Sequence, residues 1–473
     1  MSAFNPTTPQ FKQNSRDALA NANIQRAMSH AQSGFVDKRT KAAAKVPEFD
    51  ALRDAARDLK NHTLANLDLY LERYEQNVIA HGGHVHWAET AEDAQRIVLE
   101  ICRTADAKIV NKGKSMISEE CGINDYLEAN GIHPQETDLG EYIIQLRGEM
   151  PSHIIAPAVH VTVPEVEAEF RKHHTHLPAD RNLSELRDML AEARGVLREK
   201  YFLAQVGITG ANLLIAETGQ SVIVTNEGNG DLSQSLAKVH IVMASLEKIV
   251  PTLEDAATVL RVLARSATGQ EITSYTTFSS GPKRDTDPDG PEEYHVVLLD
   301  NGRTNMLGTD FQDMLRCIRC GACMNHCPVY QAVGGHAYGW VYPGPMGAVL
   351  TPSLIGVETG GHLPNASTFC GRCESVCPMR IPLPKMMRHW REREFEKQLT
   401  PGTVRFGLGF WRFLCTRPGL FNAFTRVAAF GLKLMALGKG SLGRLPMGGG
   451  WTDHRDFPAP QGGTFQARWK ARR

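Results

Sequence analysis

The sequence contains no run of about 18 uncharged apolar residues, so no segment is expected to span a bilayer. Its N-terminal stretch has no apolar core of the kind that a signal peptide carries, which favours a cytoplasmic protein. An excess of one charge is also missing, because 52 Lys and Arg balance 52 Asp and Glu. No overall field therefore favours nucleic acid as a partner, and peripheral contact with a membrane surface stays open.

Nucleotide-binding motifs are absent as well. No G-x-G-x-x-G follows a strand and opens a helix, and no P-loop occurs. The glycines of residues 207–212 (GITGAN) are too loosely spaced for either motif. The sequence therefore predicts no nucleotide or flavin site within this chain.

At 473 residues the chain is too long for one compact core, and its composition divides it into four regions. Residues 1–65 are polar and are predicted to form a helical N-terminal arm. Residues 66–305 alternate amphipathic helices with short apolar strands, the pattern of an α/β domain with a largely parallel sheet. Residues 306–398 are rich in Cys, Gly and Pro, and residues 399–473 are predicted to form a helical extension and tail.

Several elements of the α/β region can be predicted locally. Residues 91–107 carry apolar side chains at helical spacing. Residues 117–131 are predicted to form one helix capped by Ser118. A hairpin is predicted around Gly219, and the apolar run 238–250 (KVHIVMASLEKIV) is predicted to be a long helix.

Ten cysteines are present, and seven of them lie between Cys317 and Cys377 in C-x-x-C spacing. In a long chain this predicts metal binding in a reducing compartment and not a disulfide framework. Residues 317–328 (CIRCGACMNHCP) match C-x2-C-x2-C-x3-C-P, the spacing of bacterial ferredoxins. A zinc site has no use for three thiolates at steps of three, so iron–sulfur is favoured. The scattered cysteines are predicted to be structural thiols: Cys102, Cys121 and Cys415.

A second block, residues 370–378 (CGRCESVCP), supplies only three cysteines. In two-cluster ferredoxins the last cysteine of each block ligates the cluster of the other block. That rule predicts one 4Fe–4S cluster with these ligands: Cys317, Cys320, Cys323 and Cys377. It predicts a second cluster with three cysteine ligands: Cys327, Cys370 and Cys373.

One iron of the second cluster therefore lacks a cysteine. Cys415 has no spacing that aims it at the site, and His326 is expected to point away from the cluster that Cys327 binds. An iron with a weak or solvent ligand is easily lost, so the second centre is predicted to be a labile 4Fe–4S or a 3Fe–4S cluster. A non-cysteine fourth ligand stays open.

Two further groups have ordinary structural explanations. Glu217 could act as a carboxylate nucleophile or a ligand, but a turn position in a hairpin is favoured. His84 and His86 would share one face of a strand and His81 the other. No third metal ligand can be named beside them, so polar packing is favoured.

Three stretches around the cysteines carry weaker signals. Residues 328–369 are rich in Gly and Pro and are predicted to be mostly irregular. A basic helical stripe after the second block either attracts an acidic redox partner or is a solvated face. Its members are Arg380, Lys385, Arg388, Arg391 and Arg393. After residue 400 two short amphipathic helices are predicted, which pack on the cluster region, dock a partner or lie on a membrane surface.

These stretches together resemble the lactate utilization protein B family over most of the chain. Residues 113–132 (GKSMISEECGINDYLEANGI) and 206–232 resemble its LUD domain, an α/β fold of the sugar-isomerase and CoA-transferase class. Residues 317–350, together with 368–387, resemble its cluster domain, and seven cysteines are part of the family pattern. The fold implied is an α/β domain followed by a mostly α-helical, ferredoxin-like domain with two clusters.

The resemblance implies an electron-transfer subunit that acts with companion proteins in oxidising L-lactate to pyruvate. The residues alone predict only an electron carrier whose acceptor is unknown. Two alternatives stay open. One is an electron-transfer subunit for another 2-hydroxy acid such as glycolate, and the other is a LUD-domain transferase or isomerase with regulatory clusters.

Overall fold

The structure, a computed structural model, describes residues 5–113, 115–445, 448–453 and 455–472. The chain forms two compact units, Met1–Glu394 and Phe395–Arg473. Within the described residues, no helix has both the length and the apolar character needed to cross a membrane.

The helices of the first unit are α1 (Phe11–Ala20), α2 (Ala22–Ala44), α3 (Phe49–Ala65), α4 (Leu67–Ala80), α5 (Ala91–Thr104), α6 (Met116–Glu120), α7 (Ile123–Ala129), α8 (Leu139–Arg147), α9 (Val163–His173), α10 (Leu186–Leu203), α11 (Asn229–Ser235), α12 (Leu253–Ala267), α13 (Ala322–Asn325), α14 (Pro328–Val333), α15 (Gly344–Ile355), α16 (Val357–Gly360), α17 (Arg372–Val376) and α18 (Leu383–Glu396). The last of them ends two residues beyond the boundary of the unit. Its strands are β1 (His84–Ala88), β2 (Ile109–Gly113), β3 (His133–Glu136), β4 (Val206–Gly210), β5 (Leu213–Ile215), β6 (Gln220–Thr225), β7 (Val239–Ser245), β8 (Ile249–Val250), β9 (Tyr275–Ser279) and β10 (Glu293–Leu299).

Six strands form a parallel sheet in the order β1-β10-β7-β4-β2-β3. Its central strands are buried on both faces by alternating side chains. Ile241 and Met243 of β7 pack towards α5 and α7, while Val242 and Ala244 pack with the side chains of α4. The parallel α/β domain predicted from the sequence is therefore present.

A second sheet has the order β8-β5-β6-β9. Strands β5 and β6 pair antiparallel, with Leu213 opposite Val222 and Ile215 opposite Gln220. This confirms the hairpin predicted around Gly219, whose φ of +68° lies in the left-handed region that a tight turn favours.

The predicted N-terminal arm is helical and packs into the core of the first unit. Met28 and Phe49 of α2 and α3 are buried in the same cluster of side chains as Val259 of α12 and Met324 beside the first cysteine block. These helices therefore bring the N-terminal region against the cysteine-bearing segment.

Three local predictions were wrong. The run 238–250 is strand β7 followed by a short turn and β8, not a helix, because a strand buried on both faces shows no alternation in its sequence. Residues 117–131 form two helices, because Gly122 adopts a left-handed φ of +60° between α6 and α7. The cap is Ser115, whose hydroxyl accepts a hydrogen bond from the backbone N–H of Ser118 at 3.2 Å.

The segment between the cysteine blocks was also predicted incorrectly. It contains α14, α15 and α16, and residues 300–440, all of them described, contain helices and no strand. Its glycines serve close packing between helices, since a Cβ on Gly344 of α15 would lie 2.6 Å from the Cγ of Met324 in α13, and one on Gly360 of α16 would lie 3.1 Å from the backbone nitrogen of Pro352 in α15. Gly and Pro here permit contact between helices and do not signal a loop.

The second unit contains α19 (Gly402–Cys415), α20 (Pro418–Met435), α21 (Gly449–Thr452), α22 (Phe465–Ala471) and the short strands β11 (Ser441–Leu442) and β12 (Phe457–Pro458). The two helices predicted after residue 400 are confirmed as α19 and α20. They contact each other through aromatic rings, with Phe410 and Phe424 centred 5.7 Å apart and Trp411 and Phe421 5.6 Å apart.

Candidate metal centre

The first cysteine block is a tight turn that runs into a short helix. Arg319 and Gly321 have left-handed φ angles of +57° and +71°, and α13 follows directly. A side chain on Gly321 would strain this backbone and would lie 3.2 Å from the ring of His153. The turn carries Cys317 and Cys320 into the interior of the unit, where Cys320 is buried.

The second block repeats this backbone fifty residues later. Phe369 and Gly371 have φ angles of +52° and +77°, and α17 follows as α13 follows the first turn. The register equates Cys370, Cys373 and Cys377 with Cys320, Cys323 and Cys327. It also equates Ser367 with Cys317, so a serine stands where the missing cysteine would be.

Ser367 was missed in the sequence because the second block was measured from its first cysteine. Its hydroxyl accepts a hydrogen bond from the backbone N–H of Phe369, two residues on, at 3.2 Å. Backbone N–H groups two residues on also reach the sulfurs of Cys320 and Cys377, through Ala322 and Met379. Aligning the two blocks by their C-G dipeptides would have revealed the correspondence.

Arg391 of α18 holds the Ser367 segment in place. Its guanidinium donates hydrogen bonds to the carbonyl oxygens of Pro364 at 2.8 Å and Ser367 at 3.2 Å, and it lies 4.2 Å from the centre of the Phe369 ring. This member of the predicted basic stripe is therefore a structural contact. Arg380 is also paired, with Asp54 at 3.0 Å.

The two blocks contribute to one small cavity. Four cysteines line it, three from the first block and one from the second: Cys317, Cys320, Cys323 and Cys377. The remaining three lie near each other, since the charge of Cys327 interacts with that of Cys370, and the charge of Cys373 with both. The structure thus places four cysteines around one cavity and the other three near each other, and it leaves their division into two ligand sets as a prediction.

Buried thiols in these groups suit a polynuclear metal core. Burial raises the pKa of Cys320 to about 12 and that of Cys377 to about 11, and neighbouring sulfur charges add to both shifts. Burial also raises the pKa of Cys373 to about 12. Closely spaced thiols with these properties become thiolates together only when metal cations lie among them, so the donor set fits iron–sulfur clusters.

Two arginines of the N-terminal helices donate hydrogen bonds to the backbone of the second block. Arg39 of α2 donates to the carbonyl oxygen of Val376 at 2.7 Å. Arg53 of α3 donates to the carbonyl oxygens of Cys377 at 2.7 Å and Ser375 at 2.8 Å. Both guanidinium groups are buried and place positive charge beside the sulfur atoms. No spacing in residues 1–65 signals this role.

A buried ion network joins the α/β domain to the cysteine segment. Arg303 pairs with Glu120 at 2.7 Å and Glu247 at 3.1 Å. The hydroxyl of Tyr342 donates to Glu120 at 2.6 Å, and Arg319 pairs with Glu247 at 3.2 Å. These five side chains make the α/β domain and the first block parts of one packed unit.

A larger cavity of about 520 Å³ lies at the carboxyl edge of the parallel sheet. Residues that follow strand ends line it, including Ser115 after β2, Asp138 after β3 and Asn212 after β4. Lys248 and Arg319 line the side that faces the first cysteine block. In parallel α/β sheets this edge is the usual position of ligand sites.

The other candidate residues lie elsewhere. Glu217 is exposed, and its carboxylate accepts a hydrogen bond from the backbone N–H of Leu253 at 3.2 Å, which caps α12. His84 and His86 do share a face of β1, where both rings stack on His295, with the Nε2 of His86 3.0 Å from the Nδ1 of His295. His81 lies in the turn before β1.

One His and Glu cluster was not signalled by the sequence. The potential ligand atoms of Glu149, His160 and His336 all lie within 4.8 Å of one another. Nε2 of His160 lies 2.8 Å from Glu149, Arg147 lies 2.9 Å from Glu149, and Nε2 of His336 lies 2.6 Å from the carbonyl oxygen of Met150, while Nδ1 of His160 is buried without a hydrogen-bond partner among the described residues. These contacts form a hydrogen-bonded bridge beside α14.

The two candidates for a fourth ligand of the second cluster have different surroundings. Nδ1 of His326 lies 2.9 Å from the carbonyl oxygen of Ala322, within its own helical turn, and its Nε2 is buried without a hydrogen-bond partner among the described residues. Cys415 is exposed on α19 in the second unit.

Profiles of known families match three segments of the chain. They are the LUD domain over residues 71–299, the 4Fe–4S dicluster domain over residues 313–381, and the C-terminal region of lactate utilisation protein B over residues 396–473.

Known proteins are similar along nearly the whole chain. The lactate utilization protein B of Bacillus licheniformis is 40% identical over 98% of this chain and 97% of its own, and that of Shouchella clausii is 41% identical over 98% and 97%. The protein of Escherichia coli named as an uncharacterized electron transport protein, YkgF, is 38% identical over 97% and 96%. A solved structure of a DUF162 family protein from Deinococcus radiodurans covers 49% of this chain at 15% identity and a TM-score of 0.26.

Proposed function

The chain belongs to the lactate utilization protein B family, and from this premise we propose that it is the iron–sulfur electron-transfer subunit of a system that oxidises L-lactate to pyruvate. The observation that carries the proposal is the small cavity lined by four cysteines from two separate blocks. A relative named as an electron transport protein points the same way.

Two groups of residues would hold the clusters. The first set is Cys317, Cys320, Cys323 and Cys377 on a 4Fe–4S cluster, and the second is Cys327, Cys370 and Cys373 on a 4Fe–4S or 3Fe–4S cluster. Clusters of this kind take up and release single electrons, which lets a pair of them accept the two electrons of a hydroxy acid.

The protein itself would bind the clusters, bury them and adjust their reduction potential. Arg39 and Arg53 fix the backbone of the second block, and Arg319 places a permanent positive charge beside Cys317. Positive charge near an anionic cluster favours its reduced form, because reduction adds a further negative charge. The left-handed turn at Gly321 lets backbone amides face the sulfur atoms.

A LUD-domain transferase or isomerase is the second candidate function. It would need a nucleophile, and the residue considered for that role, Glu217, caps α12 and does not line the large cavity. Electron transfer is therefore favoured. The companion proteins would supply the hydride-accepting chemistry and the final acceptor.

Growth of a deletion strain tests the proposal and its substrate. We expect a strain lacking this chain to lose growth on L-lactate, to keep growth on glycolate, and to be rescued by the wild-type chain. Rescue should fail with Cys317→Ser and succeed with Glu217→Ala. Normal growth on L-lactate, with loss of growth on glycolate instead, would assign the chain to a different hydroxy acid.

A further inference from the structure

The large cavity at the carboxyl edge of the sheet has no part in holding the clusters. Its volume of about 520 Å³ falls within the range of sites that enclose a ligand of cofactor size. A three-carbon acid such as lactate, with six non-hydrogen atoms, would leave most of it unfilled. The cavity is therefore shaped for a larger molecule.

Most of the wall is apolar. The side chains that form it come from α6, α8, α12 and the segment before α9, and include Met116, Ile117, Ile143, Ile154, Ile155 and Leu263. Such a wall favours the hydrocarbon or aromatic body of a ligand over water, at about 0.8 kcal/mol for each buried CH2 group.

The end that faces the first cysteine block carries two cations. Lys248 is 6% exposed and, among the described residues, makes no hydrogen bond or ion pair. Arg319 is a wall of this cavity and of the cysteine-lined one. Its Nη2 pairs with Glu247, while its Nε and Nη1 are buried without a hydrogen-bond partner. Buried donors left unpaired in this way are costly unless a ligand satisfies them.

A third buried donor and two carboxylates also line the cavity, beside neutral polar residues such as Ser115 and Asn212. Nδ2 of Asn229 has no hydrogen-bond partner and belongs to a side chain that is 5% exposed. Asp138 accepts hydrogen bonds from the backbone N–H groups of Gly140 and Glu141 at 3.0 and 3.2 Å, so it is engaged in capping α8. Glu227 accepts from the N–H of Leu139 at 3.4 Å. The carboxylates serve the start of α8, and the positive charge of the lining comes from Lys248 and Arg319.

We propose that this cavity binds an organic anion with an apolar body, whose carboxylate or phosphate group lies between Lys248 and Arg319 beside the first cysteine block. This goes beyond electron transfer, because it gives the α/β domain a ligand of its own. The ligand's charged end then lies next to Cys317, close enough to Lys248 and Arg319 for their charges to interact with that sulfur.

Calorimetric titration of the cluster-loaded protein under anaerobic conditions tests the proposal with four probes. They are octanoate, octyl phosphate, 1-octanol and pyruvate. We expect octanoate or octyl phosphate to bind at least about tenfold more tightly than 1-octanol, which lacks the charge, and than pyruvate, which lacks the apolar chain. The tighter of the two anions identifies the head group.

Variants connect the binding to the cavity. Lys248→Met, which keeps the length of the side chain, should weaken binding of the tighter anion about tenfold or more, while the exposed Lys283→Met should not change it. Ala211→Phe, which fills the cavity and keeps both cations, should weaken binding as well. Far-ultraviolet circular dichroism and cluster absorbance confirm that each variant is folded and loaded.

Three results would overturn the proposal. Equal affinity for octanoate, octyl phosphate and 1-octanol would remove the role of charge, and equal affinity for pyruvate would remove the role of the apolar wall. Unchanged affinity in Lys248→Met would mean that this lysine only compensates the charge of Cys317. Because binding is measured without electron transfer, failure here leaves the proposed function standing, and the reverse also holds.

Discussion

Replacing Ser367 with cysteine should supply a fourth thiolate to the proposed second cluster. The two cysteine turns have similar φ angles at corresponding residues: φ is +57° at Arg319 and +52° at Phe369, and +71° at Gly321 and +77° at Gly371. These differences of 5° and 6° lie within the ordinary scatter of one backbone conformation. A sulfur at position 367 would therefore relate to Cys370 and Cys373 as Cys317 relates to Cys320 and Cys323.

The wild-type second cluster should lose its open iron in air and give a 3Fe–4S signal in electron paramagnetic resonance. In Ser367→Cys a fourth thiolate binds that iron, and we expect the loss of iron to slow by about tenfold or more. Even residues that only hydrogen-bond to a metal ligand change metal affinity by about 10- to 100-fold, and a direct ligand should do at least as much. The assay is the 3Fe–4S signal and the iron content against time of air exposure.

Ser375→Cys is the matched control. Ser375 is exposed on α17, in the same block, but it has no counterpart among the cysteines of the first turn. It should lose iron as the wild type does. If Ser367→Cys develops the same 3Fe–4S signal as the wild type, the register between the blocks is wrong. Two equally oxygen-resistant clusters in the wild type would mean that a non-cysteine ligand already holds the iron.

Three further predictions follow from the structure. Cys317→Ser and Cys377→Ser should perturb the same cluster, seen as loss of the same reduced 4Fe–4S signal, because both sulfurs line one cavity. Glu120→Gln should lower the free energy of unfolding in urea by about 3 to 5 kcal/mol, because it leaves Glu247 as the one buried carboxylate of the described residues that compensates both Arg303 and Arg319. Burial lowers the pKa of His240 to about 3, so stability should fall as the pH drops below about 6.5, where the unfolded side chain takes up a proton and the folded one does not. Between pH 6.5 and 5.5 the share of this loss that comes from His240 is about 1 kcal/mol, and His240→Gln should remove that share; His86 and His336, whose pKa burial lowers to about 4, add their own.

Each of these has a control. Cys370→Ser should spare the cluster that the first pair shares and should abolish the 3Fe–4S signal; a common effect of all three cysteine variants would contradict two separate ligand sets. Tyr342→Phe, which loses one hydrogen bond to Glu120, should cost only about 1 to 2 kcal/mol. The exposed His176→Gln should leave the pH dependence as it is in the wild type, and an equal loss of pH dependence in both histidine variants would refute the assignment to His240.

Local sequence patterns predicted the elements that show a hydrophobic periodicity or a turn residue in the sequence. The helix at 91–104, the hairpin around Gly219 and the helices after residue 400 each have amphipathic spacing or a turn residue at a fixed place. The prediction for residues 238–250 was wrong because a central parallel strand is apolar throughout, so its sequence shows neither the helical nor the strand periodicity. Residues 328–369 failed because their glycines serve helix packing at contacts that only the folded chain defines.

The four cysteines that line the small cavity could be predicted as one group, because the spacing within the two blocks limits which sulfurs can meet. The residues around them could not. Arg39 and Arg53 come to the second block from helices more than 300 residues away in the chain. Lys248 lies near the first block only because the folded unit places the end of β7 beside that block. No local pattern encodes these encounters, which depend on tertiary packing.

Reduction of the clusters by L-lactate is the most direct test of the proposed electron-transfer role. The purified, cluster-loaded chain is mixed anaerobically with L-lactate, alone or with its companion proteins, and the reduced 4Fe–4S signal is followed by electron paramagnetic resonance. We expect no signal from the chain alone, because its sequence carries no nucleotide or flavin motif that would accept a hydride, and a signal when the companions are present. Reduction of the isolated chain by L-lactate, or its failure to be reduced with the companions, would contradict an electron-transfer subunit.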